Sequence, residues 1–315
     1  MSSMANVTAE GFQDGICLVC RGHGIEDYCE VGDRVRRRAG ETWRIRRCRR
    51  CGFGWTDPMP APEDIGALYP PGYLGDTESM LDHFLAGRLQ RTRSWRGEME
   101  KARLLERFVP AGRILDVGCG DARFLLALDP ARYERAGIDP AAPALEIVRS
   151  RMPDLVLVAG DLHAAPLAEG TFDALTFWHA LEHMPDTRRV LRRAAALLKS
   201  GGMLIVSLPN LQSLQARIFR ADWYAFDDVP RHLYHFSRRS LELLLAEAGF
   251  DVRRCLAFSR RVDFHCLKHS LLNRCGPRPG GRALYYTLKP ALFALALIER
   301  LSGRPGIITI VARRS

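Results

Sequence analysis

The stretch that decides the fold is Arg113-Ile114-Leu115-Asp116-Val117-Gly118-Cys119-Gly120. It has the pattern of an apolar strand that ends in an acid and then breaks into Gly-x-Gly. A buried strand followed by two close glycines brings the backbone of an α/β sheet up against a nucleotide-like ligand. The stretch therefore predicts a mostly parallel α/β sheet with such a ligand at the carboxyl end of its first strand.

Two departures from the dinucleotide-binding pattern indicate which ligand binds at this turn. Asp116 would repel a pyrophosphate and would attract an ammonium group. The third glycine of the dinucleotide pattern is missing, because Arg123 stands at its position. Both departures favour a cationic amino-acid nucleoside, S-adenosylmethionine, over NAD or FAD.

Strand and helix patterns alternate after residue 111, as they do in a doubly wound sheet. Gly201-Gly202 marks the end of one helix, and Ser237 or Ser240 can cap the helix that ends at Gly249. The predicted strands are 113–117, 133–138, 155–159, 172–178, 202–208, 252–258 and 307–312. The predicted helices lie near 121–128, 141–151, 187–199, 238–248 and 283–301.

Acidic residues follow the first three predicted strands, at the edge of the sheet where ligands bind. Asp139 ends the second strand and can accept both ribose hydroxyl groups. Asp161 follows the third strand and can receive the adenine amino group. Each acid alone could be a loop residue or a helix cap, but three in order favour a cofactor site. The predicted cofactor-binding residues are Asp116, Gly118, Cys119, Gly120, Asp139, Pro140, Asp161, Leu162 and His179.

The loop after the fourth strand contains His179, Glu182 and His183 and should face the reactive end of the cofactor. His-x-x-Glu-His is also the inverted zinc-protease motif, but that motif requires a helix. Here a strand precedes it and Pro185 follows, which argues against a protease. A divalent-metal site near Glu182 and His183 and a structural role for the histidines both stay open.

A second segment rich in histidine and aromatic residues, 222–237, follows the fifth strand. It is interpreted either as a packed lid or as a substrate wall that carries a general base, and the second interpretation is preferred. A histidine with a pKa near neutral can deprotonate an oxygen or carbon acceptor. The candidate catalytic bases are His183 and His235, followed by His179 and His232.

Two Cys-x-x-Cys pairs, Cys17/Cys20 and Cys48/Cys51, flank a short strand-like segment near the N-terminus. Four thiolates in this spacing predict a structural zinc site of the ribbon type. So small a module builds little core, and the metal would supply its folding energy. The fifth cysteine in this region, Cys29, is expected to be inert.

Composition limits the class of protein. The chain has 315 residues, 47% hydrophobic and 26% charged, as in soluble globular proteins. The N-terminus lacks a secretory signal pattern, and the nine cysteines include two metal-type pairs, so the cytoplasm is the predicted location. The apolar tract 283–301 is interrupted by Lys289-Pro290, which argues against a membrane-spanning helix. A helix buried in the protein is preferred, and a helix at a membrane interface is the alternative.

The formal net charge is +10, and residues 34–50 hold nine arginines and one acid. A solvated arginine-rich surface, an RNA-binding surface and a surface for an anionic membrane or substrate are the three interpretations.

The chain resembles class I S-adenosylmethionine-dependent methyltransferases. The resemblance is carried by three motifs: Ile114 to Gly120, Leu181-Glu182-His183 and Leu208-Pro209-Asn210. The chain is most similar to the bacterial group with an N-terminal zinc ribbon, which shares the four cysteines, Asp57-Pro58-Met59-Pro60, the Tyr69 to Tyr73 segment and Arg231 to Ser237. The resemblance implies a Rossmann-like sheet of seven strands whose last strand, Ile307 to Val311, is antiparallel. It also implies cofactor binding by the Asp116 loop, Asp139 and Asp161. Ubiquinone O-methyltransferases and small-RNA 3′-end methyltransferases carry Glu-x-x-Glu-His at the fourth-strand loop and use a divalent metal, whereas this chain has His179 at the first position.

The predicted organisation is a zinc ribbon at 1–60, a helical linker or lid at 61–110 and a methyltransferase domain at 111–315. The preferred function is methyl transfer to a small-molecule, sugar or lipid-linked acceptor, at oxygen or carbon, with peripheral membrane contact left open. One alternative is an RNA methyltransferase that uses the ribbon and the arginines for binding. That alternative is disfavoured because no aromatic residues are interleaved with the arginines as stacking platforms. The other alternative is a non-catalytic scaffold that binds S-adenosylmethionine.

Overall fold

The computed structural model describes residues 15–34, 41–70, 72–257, 259–276 and 279–315. Part of the predicted arginine-rich segment, Arg36 to Arg38, lies outside the described residues, as does Phe258 at the end of a predicted strand. The strands are β1 (Ile25–Gly32), β2 (Thr42–Cys48), β3 (Gly54–Asp57), β4 (Gly112–Val117), β5 (Tyr133–Asp139), β6 (Val156–Ala159), β7 (Phe172–Trp178), β8 (Leu198–Pro209), β9 (Tyr234–His235), β10 (Phe250–Ala257) and β11 (Ile307–Arg314). The helices are α1 (Thr77–Leu85), α2 (Arg93–Glu106), α3 (Arg123–Leu126), α4 (Ala142–Arg151), α5 (Thr187–Leu197), α6 (Leu214–Phe219), α7 (Arg238–Glu247), α8 (Arg260–Cys275) and α9 (Pro279–Leu301).

The chain forms two compact units, and each is built from three segments of sequence. The first unit contains residues 1–70, 209–244 and 260–308, and the second contains residues 71–208, 245–259 and 309–315. The sequence predicted three consecutive domains, which is a different division, and those domain boundaries stay a prediction.

The second unit is organised around a seven-stranded sheet in the order β10-β11-β8-β7-β4-β5-β6. The pairs β4/β5, β4/β7, β5/β6 and β7/β8 are parallel. Two contacts show that β11 runs antiparallel to β8. Ser207 Oγ, near the end of β8, lies 2.9 Å from Thr309 Oγ1, early in β11. Arg313, late in β11, donates to the Gly201 carbonyl, early in β8, at 3.3 Å. The predicted Rossmann-like sheet with an antiparallel last strand is therefore confirmed.

Helices α1 and α2 contribute to the hydrophobic core of this unit. Leu81 and Leu105 are fully buried in the same cluster as Ile114 of β4 and Leu125 of α3. Asp76 caps α1 by accepting a hydrogen bond from the Ser79 amide. The helical prediction for this region is correct for α1 and α2, and their apolar faces pack into the core.

The first unit contains an antiparallel four-stranded sheet in the order β1-β2-β3-β9. The last pairing joins two distant parts of the chain, because Trp55 of β3 lies opposite Tyr234 of β9. The core of the unit also mixes early and late residues, with Tyr28 and Ile45 in one cluster with Trp223 and Leu292. The N-terminal strands are thus completed by residues that lie more than 150 positions later in the sequence.

Helix α9 continues through Pro290 and is exposed on one side. Leu292 and Ala296 pack in the core of the first unit, whereas Phe293 and Leu297 are 57% and 45% exposed. The expectation of a helix buried in the protein therefore holds for only one of its faces. Among the described residues, no helix is both long enough and apolar enough to span a membrane.

Candidate functional site

The turn after β4 is held in a conformation that favours glycine. Gly118 and Gly120 have φ angles of +75° and +54°. The amides of Gly118 and Cys119 both donate to the Ile138 carbonyl of β5, at 2.8 and 3.2 Å. A Cβ atom on Gly118 would lie 2.5 Å from Cβ of Ala180, so this position excludes any side chain. The turn thus packs closely against Ala180, and the close approach of a ligand to its backbone stays a prediction.

Asp116 lies at the end of β4 and is almost completely buried. Its Oδ1 accepts a hydrogen bond from Thr176 Oγ1 of β7 at 2.6 Å. Burial raises the pKa of the Asp116 carboxyl to about 7, against the opposing effects of the Thr176 hydrogen bond and the Lys101 charge. Near neutral pH, a further cation beside Asp116 would therefore shift it towards the ionised form.

Asp139 at the end of β5 orders the glycine turn. One carboxylate oxygen accepts from the Gly120 amide and the other accepts from the Ala141 amide, both at 2.9 Å. Each oxygen keeps a second lone pair, which leaves capacity for a ribose hydroxyl. Burial raises the pKa of Asp139, and the two amide hydrogen bonds oppose that rise. Pro140, also a predicted cofactor residue, follows Asp139 directly and is exposed.

Asp161 and Leu162 follow β6 at the same edge of the sheet. Asp161 is exposed, and its Oδ1 accepts a hydrogen bond from the His163 amide at 2.7 Å. Leu162 is 4% exposed and is therefore part of the packed interior. The contacts of Asp161 and Leu162 with an adenine ring stay a prediction.

The loop after β7 begins with a strained histidine. His179 has a φ of +55°, and its amide donates to the Ser207 carbonyl at 2.8 Å. A non-glycine residue in this region costs about 1–3 kcal/mol and is concentrated at functional sites. The strain places His179 Nδ1 3.6 Å from Oε1 of the buried Glu182.

His183 is half-buried and ends a three-residue 3-10 turn, Leu181–His183. The inverted zinc-protease motif needs a helix at this point, so the turn supports the exclusion of that class. His179, Glu182 and His183 all belong to this one short loop of the second unit.

The other two candidate bases, His232 and His235, belong to the first unit and are buried. His235 Nε2 lies 3.2 Å from Thr56 Oγ1, and its ring contacts Phe226 edge-on. Burial lowers the pKa of His235 well below its ordinary value, so the ring is neutral. His232 Nδ1 lies 2.7 Å from the Ala225 carbonyl, which requires a proton on Nδ1. These contacts give both rings a packing role in the first unit, and their assignment as bases stays a prediction.

The four predicted metal ligands come together in the first unit. The Sγ atoms of Cys17, Cys20, Cys48 and Cys51 all lie within 4.8 Å of one another. The Cys17–Cys51 and Cys20–Cys48 separations are both 3.6 Å, too long for a disulfide. The hydrogen bond from Cys51 lowers the pKa of the Cys17 thiol to about 5, so this pair readily holds one negative charge.

The two cysteine pairs have the same backbone geometry. In each, the first cysteine amide donates to the carbonyl five residues later, Cys17 to Gly22 and Cys48 to Phe53, at 2.9 and 2.8 Å. In each, the residue after the second cysteine has a positive φ, 54° at Arg21 and 74° at Gly52. This pseudo-symmetric pair of turns brings four thiols together, which is compatible with a four-thiolate metal site.

Two residues shape these sites through contacts that sequence analysis did not predict. Thr176 was identified only by the register of β7 against β4, which places it opposite Asp116. Arg231 is completely buried, and its guanidinium group donates to Asp228 and to the Leu68 carbonyl, at 3.0 and 3.2 Å. Arg231 was noted in the sequence only as part of the Arg231 to Ser237 motif. Asp228 is close to it in sequence, but the Leu68 carbonyl is 163 positions away.

Comparisons with known proteins agree with this geometry. A family model described as a methyltransferase domain matches residues 88–254, just over half of the chain. A demethylmenaquinone methyltransferase of Thermotoga maritima is 32% identical over 161 residues, covering 44% of this chain and 70% of that protein. A ubiquinone biosynthesis O-methyltransferase of Bordetella avium is 36% identical over 151 residues, covering 44% of this chain and 62% of that protein.

Two further matches are weaker: one covers only about half of the related protein, and the other is a similarity of fold. A probable S-adenosylmethionine-dependent methyltransferase of Mycobacterium tuberculosis is 28% identical over 149 residues, covering 46% of this chain and 51% of that protein. The chain thus spans between about half and 70% of the length of these relatives. The crystal structure of the [4+2]-cyclase SpnF has a TM-score of 0.52 at 20% identity, covering 81% of this chain and 97% of that chain, and shows the fold only. From the family match and the sheet, this chain belongs to the S-adenosylmethionine-dependent methyltransferases of the class I fold.

Proposed function

We propose that this chain transfers the methyl group of S-adenosylmethionine to an oxygen or carbon atom of a small-molecule, sugar or lipid-linked acceptor. The observation that carries the proposal is the strained loop after β7, which holds His179 beside the buried Glu182 and ends in the half-buried His183. In this fold the carboxyl edge of the sheet faces the ligand, so a histidine in this loop is placed to act on the acceptor.

For methyl transfer, the protein must align the acceptor atom with the methyl group and accept one proton. The acceptor atom attacks the methyl carbon, the carbon–sulfur bond breaks, and its electron pair stays on sulfur to give S-adenosylhomocysteine. Because an oxygen or carbon acceptor loses a proton, a base is needed. Of the four candidate histidines, His183 and His179 fit best, since His232 and His235 are buried among side chains of the first unit.

The relatives support small acceptors. Two of them are named as demethylmenaquinone and ubiquinone methyltransferases. The arginine cluster gives less support to the RNA alternative, because Arg46 and Arg47 already face the carboxylates of Asp27 and Glu26.

The acceptor class is tested with S-adenosylmethionine labelled in its methyl group. The full chain is incubated with a lipid extract, a polar small-molecule extract and total RNA, and label is followed in each fraction. We expect label in one of the two small-molecule fractions. Label in RNA alone would establish the RNA alternative, and binding of the cofactor without any transfer would establish the scaffold.

The base is tested with His183→Gln, which should lower turnover at least tenfold and leave S-adenosylmethionine affinity unchanged. His83→Gln is the control, because His83 is an exposed residue of α1 outside the loop. Equal turnover of both variants would remove His183 from the mechanism.

We also propose that Cys17, Cys20, Cys48 and Cys51 bind one structural zinc ion. A tetrahedral site with Zn–S bonds of about 2.3 Å places its sulfur atoms about 3.8 Å apart. Two of the sulfur–sulfur separations, at 3.6 Å, are close to that value, and all four sulfur atoms lie within 4.8 Å of one another.

Metal analysis of the purified chain checks the zinc site. We expect one zinc per chain, lost in Cys48→Ser and kept in Cys29→Ser. Cys29 is a matched control in β1, where burial raises its thiol pKa to about 12. Zinc retained by the Cys48 variant would contradict the assignment.

A further inference from the structure

A cavity of about 540 Å³ opens in the first unit beside the second cysteine pair. Cys48 and Gly52 form part of its wall, and the start of α7 and the turn after α9 form other parts. Six arginines line it, and none of its lining residues is aromatic. These arginines are Arg47, Arg49, Arg217, Arg238, Arg239 and Arg304.

The carboxylates of the cavity neutralise only part of this charge. Glu26 accepts from both Arg47 and Arg49, at 2.9 and 2.8 Å. Glu242 accepts from Arg238 at 2.7 Å. Six guanidinium groups against these two carboxylates leave a formal charge of +4 in the cavity.

The three remaining arginines form a separate group. The guanidinium groups of Arg217, Arg239 and Arg304 make no ion pair with any residue that the structure describes. They come from α6, α7 and the turn after α9, so three independent backbone segments direct charge towards one space. Arg239 also lies in the first turn of α7, where the helix dipole disfavours a cation. A bound anion would relieve both the mutual repulsion and this dipole effect.

We propose that the cavity binds the diphosphate group of a small polar ligand. Arginine presents a planar fork of donors that matches phosphate oxygens, and several such forks converge here. The volume lies within the range of about 300–1,000 Å³ typical of small-molecule sites. Single-stranded RNA would need aromatic platforms for its bases, and the lining has none. This cavity would bind a diphosphate group whatever the methyl acceptor is.

The position beside the cysteine cluster gives the metal site a second role. Arg47 and Arg49 flank Cys48, so the turn that holds this ligand also fixes two of the cavity's cations. Zinc binding at the cysteines would therefore preorganise one wall of the diphosphate site.

The test is calorimetric titration of the zinc-loaded full chain with inorganic pyrophosphate, in a buffer free of phosphate and sulfate. Removing a charge-assisted hydrogen bond weakens binding roughly tenfold or more. We expect Arg239→Gln/Arg304→Gln to raise the pyrophosphate Kd at least tenfold, with an unchanged melting temperature. Arg192→Gln, an exposed arginine of α5 outside the cavity, should change it less than about twofold.

Three outcomes would overturn the proposal. The first is the absence of saturable pyrophosphate binding by the wild-type chain. The second is an equal loss in the Arg192 variant, which would indicate diffuse attraction to a basic surface. The third is binding of a single-stranded RNA oligonucleotide that is lost in the double variant and is not displaced by pyrophosphate, which would assign the arginines to RNA.

Discussion

At the scale of single residues, Asp116 is an acid whose ionisation is controlled by its burial. Its carboxyl is enclosed at the end of β4, and the hydroxyl of Thr176 satisfies one oxygen. Burial raises its pKa to about 7, from an ordinary value of 3.8. In the absence of a cation, this raised pKa favours the neutral carboxyl, so folding stability falls as pH rises from 3.8 to about 7. An ammonium group at this position would reverse the preference.

Binding of S-adenosylmethionine is therefore expected to strengthen as pH rises. If its ammonium pairs with Asp116, binding requires the ionised carboxyl, and affinity should fall about tenfold per pH unit below the pKa. Calorimetry at pH 6, 7 and 8 checks this, and Asp116→Asn should bind weakly with no such pH dependence. A wild-type affinity that is flat across this range would remove Asp116 from ammonium recognition.

Gly118 offers a second prediction at this scale. Gly118→Ala should destabilise the chain and weaken S-adenosylmethionine binding more than tenfold, because the new Cβ would overlap Ala180 at 2.5 Å. Gly170→Ala is the matched control, since Gly170 also has a positive φ but no atom within 4 Å of its Cβ position. The control should cost only the backbone strain of about 1–2 kcal/mol. Thermal unfolding measures the stability and calorimetry the affinity for S-adenosylmethionine. Similar losses in both variants would mean that backbone strain, and not overlap with Ala180, causes the effect.

At the scale of elements, local sequence signals located the strands of the large sheet but not every pairing. The apolar run that ends in Asp116 is a local pattern, and β4 lies where it predicts. The glycine stop was placed wrongly, because α5 ends at Leu197 and Gly201-Gly202 lie inside β8. β9 has only two residues, Tyr234 and His235, and no periodicity can identify so short a strand. Its pairing with β3 depends on residues far away in sequence. The roles of His232 and His235 were for the same reason beyond sequence analysis.

Helix α9 shows the same limit, because an apolar tract does not reveal which of its faces is covered. Leu292→Ala should cost about 2–4 kcal/mol of unfolding free energy, since this side chain is 6% exposed in the core of the first unit. Leu297→Ala is a control in the same helix at 45% exposure and should cost about 0.5 kcal/mol or less. Chemical denaturation of both variants measures the difference, and equal costs would mean that the exposed face is covered in solution.

At the scale of the whole molecule, the cysteine cluster belongs to a unit assembled from distant segments. The Ser237 hydroxyl, at the cap of α7, donates to the Cys51 carbonyl at 2.5 Å. The Tyr28 hydroxyl of β1 donates to the Ala216 carbonyl of α6 at 2.7 Å. Hydrogen bonds and a shared core thus connect the N-terminal strands to later segments. Loss of the proposed zinc ion should consequently disturb more than the N-terminal residues.

Hydrogen exchange with and without a zinc chelator, under reducing conditions, tests this coupling. We expect removal of zinc to increase exchange in β2 and β3 and, to a similar extent, in α6 and β9, because these elements share one core. Peptides of β4, which belongs to the second unit, provide the internal reference. Restored protection after addition of zinc would show that the change is reversible. Faster exchange confined to the cysteine turns would instead show that the N-terminal residues fold independently, as the predicted boundary at residue 60 implies.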